Sequence, residues 1–254
     1  MSRVGTRVEL CCGYLLHQRP WRDTSLIVEL FTAEHGRLTA FARGARGTRG
    51  ARTRYSGLQP FRPLLLSWTG RGEAPTLTAA ENDGSAPLQL APEALLSAWY
   101  LNELLLKLTV AHDPHPELYL QYRATLEQLR AGAPLDTALR QFELRLLELL
   151  GFGVELGRDC ADGSAVLEDA YYHFTAGEGV RRQRPEQHEG ASASPLLPGQ
   201  VLLQLAEGQL PVDAQQLRAV RALLRAALDH CLEGRELKTR VVARAVARIR
   251  GASA

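Results

Sequence analysis

Apolar and polar residues alternate with a period of two through the first third of the chain, then recur every three to four positions after about residue 92. RVELCCGYLLH places Val8, Leu10, Cys12 and Tyr14 in period two, and TSLIVELFT is rich in β-branched and aromatic residues. GRLTAFARG, FRPLLLSW and TLTAA add three shorter runs. Alternation of this kind predicts half-buried strands. Five short strands with a long connection after the third predict a small closed barrel, and OB-type and SH3-like barrels both fit the pattern.

The helical pattern begins with PEALLSAWYLNELLLKLT, which opens on Pro92 and Glu93 and is apolar on more than one face, as a central bundle helix is. PHPELYLQYRATLEQLRAG closes on Gly132, and PLDTALRQFELRLLELLGFG offers Asp136 as a cap and Gly151 as a stop. HDPH reads as helix punctuation, with Asp113 as cap and Pro114 in the first turn. From about 155 to 200 the chain turns to Gly, Asp, Ser, Pro and charge around a strand-like AYYHFTA, predicting a loop-rich insert. Helicity returns in PVDAQQLRAVRALLRAALDHCLEG and ELKTRVVARAVARIR. The class is therefore α+β with two domains: residues 1–84 form a five-stranded barrel, and residues 85–254 form a helical domain carrying the insert.

Composition adds little until the charge is mapped. The 254 residues carry a net charge of only +2, yet no acid lies between Glu34 and Glu73 while eight arginines do. That interval holds +8 and the remainder −6, so the positive field is local. Its centre is ARGARGTRGARTRY, with Arg43, Arg46, Arg49 and Arg52 every third position. Gly44, Gly47 and Gly50 would each cost a helix ~1 kcal/mol relative to alanine, so an extended loop is predicted instead. Solvated charge runs are common, but this one interrupts a β-domain and is flanked by Trp21, Phe41 and Tyr55, rings able to stack on bases. Contact with nucleic acid is the reading these features support.

Four cysteines (Cys11, Cys12, Cys160, Cys231) lack disulfide spacing, the N-terminus lacks a signal-peptide pattern, and no apolar run is long enough for a membrane span. A reduced cytoplasmic protein with no membrane association is expected. The GxxxxGK[ST], HExxH, GxSxG and strand-linked GxGxxG patterns are absent, so a binding protein rather than an enzyme is expected.

GYLLHQRPWRDTSLIVELFTAEHGRLTAFARGARGTRG, LQPFRPLLLSWTGRGE, AWYLNELLLKL, FELRLLELLGFGVEL before Cys160, and GRELKTR together resemble the RecO family of bacterial recombination mediators and DNA repair proteins. The resemblance runs in order over nearly the whole chain. It implies an OB-type barrel, followed by a helical domain with a zinc-finger-like insert, and no cofactor. It also implies binding of single- and double-stranded DNA, annealing of complementary strands, and a nucleoid-associated location. Implied partners are the C-terminal tail of single-stranded-DNA-binding protein and RecR, with RecF a further candidate and RecA served indirectly. The DNA contacts it implies are Arg19, Trp21, Arg22, Arg37, Arg43, Arg46, Arg49, Arg52, Arg54 and Tyr55.

Many such proteins hold zinc with two CxxC pairs, but here CADG keeps Cys160, places Gly163 at the partner position, and no second pair follows. A site built from Cys160, Asp162, His173 and His188 fits no standard spacing. The expected insert is a degenerate, metal-free remnant held by Tyr171, Tyr172 and Phe174. In TALRQFELRLLELLGF, Leu139, Phe142, Leu146 and Leu149 form an apolar stripe with Arg140 at its edge. An acidic tail ending in an apolar residue needs an apolar pocket with a cation at its lip, which Leu139 and Arg140 with Arg130 or Lys107 would supply. Arg240, Arg244 and Arg248 recur at i, i+4 and i+8 opposite Val242, Val246 and Ile249, a secondary DNA-binding stripe. Arg218, Arg221 and Arg225 make a similar row. The rival readings are a metal-dependent nuclease and an OB-type RNA binder.

Overall fold

A fifteen-residue strand, β1 (Arg7–Trp21), organises the N-terminal part of the computed structural model, which describes residues 7–47, 50, 54–70, 72, 74–85, 89–153, 155–184 and 195–252, with side chains through Ile249. Its first half pairs with β4 (Leu64–Thr69) and its second half with β2 (Ser25–Thr32), both antiparallel. Gly13 stands where the two pairings meet, opposite both Thr32 and Leu64. A Cβ there would stand 2.5 Å from a Leu66 methyl and 3.1 Å from the Phe31 carbonyl oxygen, so a larger residue would force Leu66 aside. β3 (Gly36–Ala42) follows β2, and β5 (Thr76–Asn82) follows β4. A two-residue parallel contact, Phe41 with Thr76 and Ala42 with Leu77, closes the barrel in the order β1-β2-β3-β5-β4. This is the five-stranded arrangement of an OB-type fold.

The expected alternation in β1 fails at two bulges. Pairing shifts between Val8 and Cys11 and again between Leu15 and His17. Leu10 adopts a positive φ of 53° and is exposed, and Cys12 is exposed too, whereas Cys11 is buried. An extra residue turns the following side chains to the other face, which simple period-two counting cannot follow. Inside the barrel lie Leu15, Val28, Leu30, Leu38, Leu64, Leu66, Leu77 and Trp68.

The chain divides into two compact units, Met1–Ala131 with Leu237–Ala254, and Gly132–Glu236. The change from strand to helix falls where residues 84 and 85 meet in the sequence reading. Compactness instead groups α1 (Pro92–Leu108), α2 (Pro116–Arg130) and α6 (Lys238–Ala252) with the barrel. Tyr14 and Phe31 on the barrel's outer face meet Tyr119 and Tyr122 of α2 at ring-centroid distances of 5.1–6.2 Å. Asn102 donates to the Leu16 carbonyl at 2.9 Å and accepts from the Tyr122 hydroxyl at 2.6 Å, so the one buried amide in that packing is satisfied. Helix α2 begins at Pro116 with His115 as its N-cap, two residues later than HDPH predicts; Asp113 instead pairs with His115 at 3.2 Å. Glu103 of α1 caps α6, accepting from the backbone amides of Lys238 and Thr239 and from the Thr239 hydroxyl.

The second unit contains α3 (Leu135–Leu149), a small sheet of β6 (Tyr171–Thr175), β7 (Gly179–Arg182) and β8 (Leu197–Pro198), then α4 (Gly199–Ala206) and α5 (Ala214–Cys231). Asp213 caps α5 through the amides of Gln215 and Gln216. The buried residues of α3 are Ala138, Arg140, Phe142, Glu143, Leu146 and Leu147. The expected stripe is therefore correct at Phe142 and Leu146, while Leu139 and Leu149 are only half-buried. Tyr172 and Phe174 are buried in the insert as expected, but strand alternation turns Tyr171 outward.

Candidate nucleic-acid interface

One end of the barrel gathers the aromatic and basic residues singled out in the sequence. Strand register aligns Arg19 of β1 with Ile27 of β2, and Ile27 with Phe41 of β3. Trp21, two residues beyond Arg19, shares its face and is 41% exposed. Its ring lies 6.0 Å from that of Phe41, and the Arg22 guanidinium sits 5.9 Å over it. Arg22 turns the chain from β1 to β2 with a φ of 50°. The segment after β3 is tied to the same turn: Arg46 donates its amide to the Thr24 carbonyl at 2.8 Å, and Gly44 donates to the Ser25 hydroxyl at 3.4 Å. Arg43 and Arg46 therefore leave the barrel beside Trp21 and Arg22.

Arg19, Arg22, Arg43 and Arg46 are all exposed, and among the described residues no carboxylate pairs with them. Arg54 is exposed as well. Arg49 and Arg52 lie outside the described residues. Gly50 and Arg54 have helical backbone, so the segment is not uniformly extended as its glycines predict.

Two expected contacts are corrected. Tyr55 is only 6% exposed; its hydroxyl donates to the Leu77 carbonyl at 2.8 Å, and burial raises its pKa above the usual tyrosine value. It belongs to the barrel core and presents no face to a base. Arg37 is drawn inward: its guanidinium bonds Glu29 Oε2 at 3.3 Å and the Thr109 carbonyl at 3.1 Å, while Thr39 donates to Glu29 Oε1. It pins β3 to the end of α1 rather than facing solvent. Phe41, seen in the sequence only as a flanking ring, is a member of the patch; its alternation with the buried Ala40 and Ala42 was the available signal.

The tail-binding assignment also changes. Arg140 is 6% exposed and bridges Glu143 at 2.8 Å and Asp136 at 3.7 Å, so its charge is consumed inside α3. Leu139 and Arg140 belong to one compact unit, Lys107 and Arg130 to the other. Lys107 pairs with Glu103 at 4.0 Å, and Arg130 with Glu127 at 2.7 Å. An apolar groove with a cation occurs elsewhere. It measures about 310 Å³, is walled by Leu64, Pro116, Tyr119 and Leu120, and carries the exposed Arg123 with Asp83 across from it. Leu120 and Arg123 lie on the exposed side of α2, and it is the facing barrel wall that makes them a groove.

On α6, Arg240 lies 5.7 Å over the Tyr100 ring, whereas Arg244 and Arg248 are exposed. Val242, Val246 and Ile249, expected opposite them, are exposed too. In the insert, Asp159 is buried, with one oxygen accepting from the Ala161 amide and the other from the Arg182 amide, both at 2.9 Å. Gly163, at a φ of 74°, donates back to the Asp159 carbonyl. A carboxylate thus organises the CADG turn. Cys160 is exposed, and His188 lies outside the described residues. No helix among the described residues is long and apolar enough to cross a membrane.

Comparison with known proteins agrees with this architecture. The family Recombination protein O N terminal matches residues 8–83, and Recombination protein O C terminal matches residues 89–240. The chain is 45% identical over 247 residues to the DNA repair protein RecO of Alkalilimnicola ehrlichii, covering 96% of this chain and 94% of that protein. It is 42% identical over 240 residues to the DNA repair protein RecO of Azoarcus sp. (94% and 96%) and 41% identical over 250 residues to that of Laribacter hongkongensis (97% and 98%). A barrel that ends where the first domain ends, a helical half matched by the second, and relatives aligned nearly end to end place this chain in the RecO family of DNA repair proteins.

Proposed function

We propose that this chain binds single- and double-stranded DNA across the Trp21 end of the barrel and anneals complementary strands as a recombination mediator. The observation that carries the reading is the juxtaposition of Trp21 and Phe41 with four exposed arginines, Arg19, Arg22, Arg43 and Arg46. Guanidinium groups neutralise phosphates, and an exposed indole stacks on any base without reading sequence. Annealing requires that repulsion between strands be lowered while base edges stay accessible, which a shallow basic rim provides and a deep cleft does not. Arg49, Arg52 and Arg54 extend the same basic run along the chain, and Arg244 and Arg248 add a second surface of the same sign.

The groove beside Arg123 supports engagement of the acidic, apolar-ended tail of single-stranded-DNA-binding protein, because it joins apolar walls to an exposed guanidinium. RecR, RecF and RecA belong to the reading as partners through family membership alone. The test is annealing of complementary oligonucleotides coated with single-stranded-DNA-binding protein, in EDTA and without ATP. Wild type is expected to anneal, and the Arg19→Ala, Arg22→Ala, Arg43→Ala, Arg46→Ala variant to lose activity. Its salt slope for single strands should fall by up to ~0.7 per phosphate contact removed. Equal annealing by both proteins would overturn the reading. Cleavage that requires Mg²⁺ would replace it with a nuclease, and preference for RNA of equal length with an RNA binder.

A further inference from the structure

The barrel holds a donor set that DNA binding does not use. Cys11 Sγ, a carboxylate oxygen of Glu34 and a ring nitrogen of His35 lie within 4.8 Å of one another, and among the described residues no other group of three or more such donors is as close. The three come from two elements, Cys11 from β1 and Glu34 and His35 from the turn between β2 and β3. The register shift after Val8 is what brings the Cys11 side chain into a buried position, while Glu34 faces solvent.

The turn is fixed in place before any ion arrives. Ala33 donates to the Cys12 carbonyl at 3.1 Å, His35 donates its amide to Thr32 Oγ1 at 3.1 Å, and that hydroxyl donates to the Gly36 carbonyl at 2.9 Å. Gly36, at a φ of 63°, presses so close to the 113 peptide that a Cβ would stand 2.0 Å from the Asp113 carbonyl oxygen. The His35 ring meets Trp68 edge to face at 5.2 Å, which limits its rotation. Ligands held this way lose little entropy on coordination. One thiol, one imidazole and one carboxylate favour a borderline cation such as Zn²⁺ over Mg²⁺ or Ca²⁺, which take oxygen donors. Tetrahedral zinc brings sulfur and nitrogen to roughly 3.5 Å of each other, inside the 4.8 Å that spans the three donor atoms here.

We propose that Cys11, Glu34 and His35 bind one Zn²⁺-type divalent cation, which clips β1 to the turn between β2 and β3 and leaves its fourth position to water. In the free chain the thiol donates weakly to the Cys12 carbonyl at 3.7 Å. On binding, the S–H bond breaks, the proton passes to solvent, and the sulfur lone pair forms the metal bond.

The test is titration of the full-length, EDTA-treated protein with Co²⁺, following the thiolate-to-cobalt charge-transfer band, then displacement by Zn²⁺ and a melting curve with and without one equivalent of Zn²⁺. Wild type should give the band at one ion per chain and melt at a higher temperature with Zn²⁺. Cys11→Ser should abolish the band, and His35→Ala should weaken binding by more than the ~10–100-fold that an outer-shell partner is worth. Should the buried Cys11→Ser chain fail to fold, His35→Ala and the exposed Glu34→Gln decide the matter. Cys12→Ser, Cys160→Ser and Cys231→Ser should leave the band intact. Absence of a band in wild type, or a band that survives His35→Ala and disappears with Cys12→Ser or Cys160→Ser, overturns the site. None of these readouts depends on DNA binding, so failure here leaves the annealing reading standing.

Discussion

Replacing Arg140 by alanine separates a structural ion pair from a docking cation. Arg140 reaches Glu143 at 2.8 Å, and the two side chains are 8% and 2% exposed. Removing the guanidinium leaves the Glu143 carboxylate to hold its charge in a buried setting or take up a proton, and breaking one side of such a pair costs about 3–5 kcal/mol. The weaker contact with Asp136, at 3.7 Å and 40% exposed, adds little because water screens it. At ~2–4 °C per kcal/mol for a chain of this size, melting should fall by roughly 10 °C. The assay is thermal and urea unfolding by circular dichroism at neutral pH, for wild type, Arg140→Ala and the double substitution Arg140→Met with Glu143→Leu. Apolar replacement of both partners should recover most of the loss, since buried pairs gain little over well-packed hydrophobes. Binding of an acidic tail peptide, measured well below either melting point, should be unchanged by Arg140→Ala. An alanine variant that melts within about 1 °C of wild type yet binds the peptide less tightly would refute the reasoning, because the charge would then be serving a partner instead of Glu143.

Further outcomes follow from the barrel. Trp21→Ala should weaken single-stranded DNA binding by ~1–3 kcal/mol without lowering the melting temperature, whereas Tyr55→Phe should do the reverse, losing ~1–3 kcal/mol of stability by orphaning the Leu77 carbonyl. Fluorescence anisotropy with a labelled oligonucleotide, beside a melting curve, distinguishes the two; a Tyr55→Phe protein of normal stability and poor affinity would contradict the assignment. Burial pushes the Tyr14 hydroxyl up to about 12 from its usual 10. The folded chain thus keeps a proton that the unfolded chain has lost, so this stability is full below about pH 10 and declines as pH rises toward 12. Tyr14→Phe should flatten that decline, and melting curves across the alkaline range would show an unchanged slope if the argument is wrong. Arg123→Glu should weaken tail-peptide binding by about tenfold or more, since a like charge then faces the acidic ligand; calorimetry giving wild-type affinity would exclude the groove.

The strands were legible because β3 and β4 bury every second residue and β2 is dense in apolar and β-branched residues, and the helices because their apolar period survives over fifteen residues or more. What stayed hidden depended on events that no local pattern announces. The bulges in β1 exchange the roles of Cys11 and Cys12, so the Cys11, Glu34 and His35 group was invisible to period-two counting. Helix α4 spans eight residues inside a Gly- and Pro-rich stretch, too short to impose its period. Tyr55 follows a run of arginines and shares their local pattern, although the chain turns inward there to reach Leu77. Arg140 did carry a warning, since Asp136 at i−4 and Glu143 at i+3 were in view as partners. Arg37 had no such local cue, because its partner Glu29 comes alongside only through the hairpin register.

The barrel closes through two parallel residue pairs, and the basic segment is spliced into the chain beside that seam. Both of its flanks are moored independently: Arg46 to Thr24 on one side, Tyr55 to Leu77 and Gly57 to Ala80 on the other. A single peptide cleavage between Arg46 and Arg54 would therefore release neither β3 nor β4 from its neighbours, and the nicked halves should migrate together until denatured. For a polyanion the same mooring means that length and sequence between the anchors are free to vary, so insertions there would retune how far the arginines reach without reopening the fold.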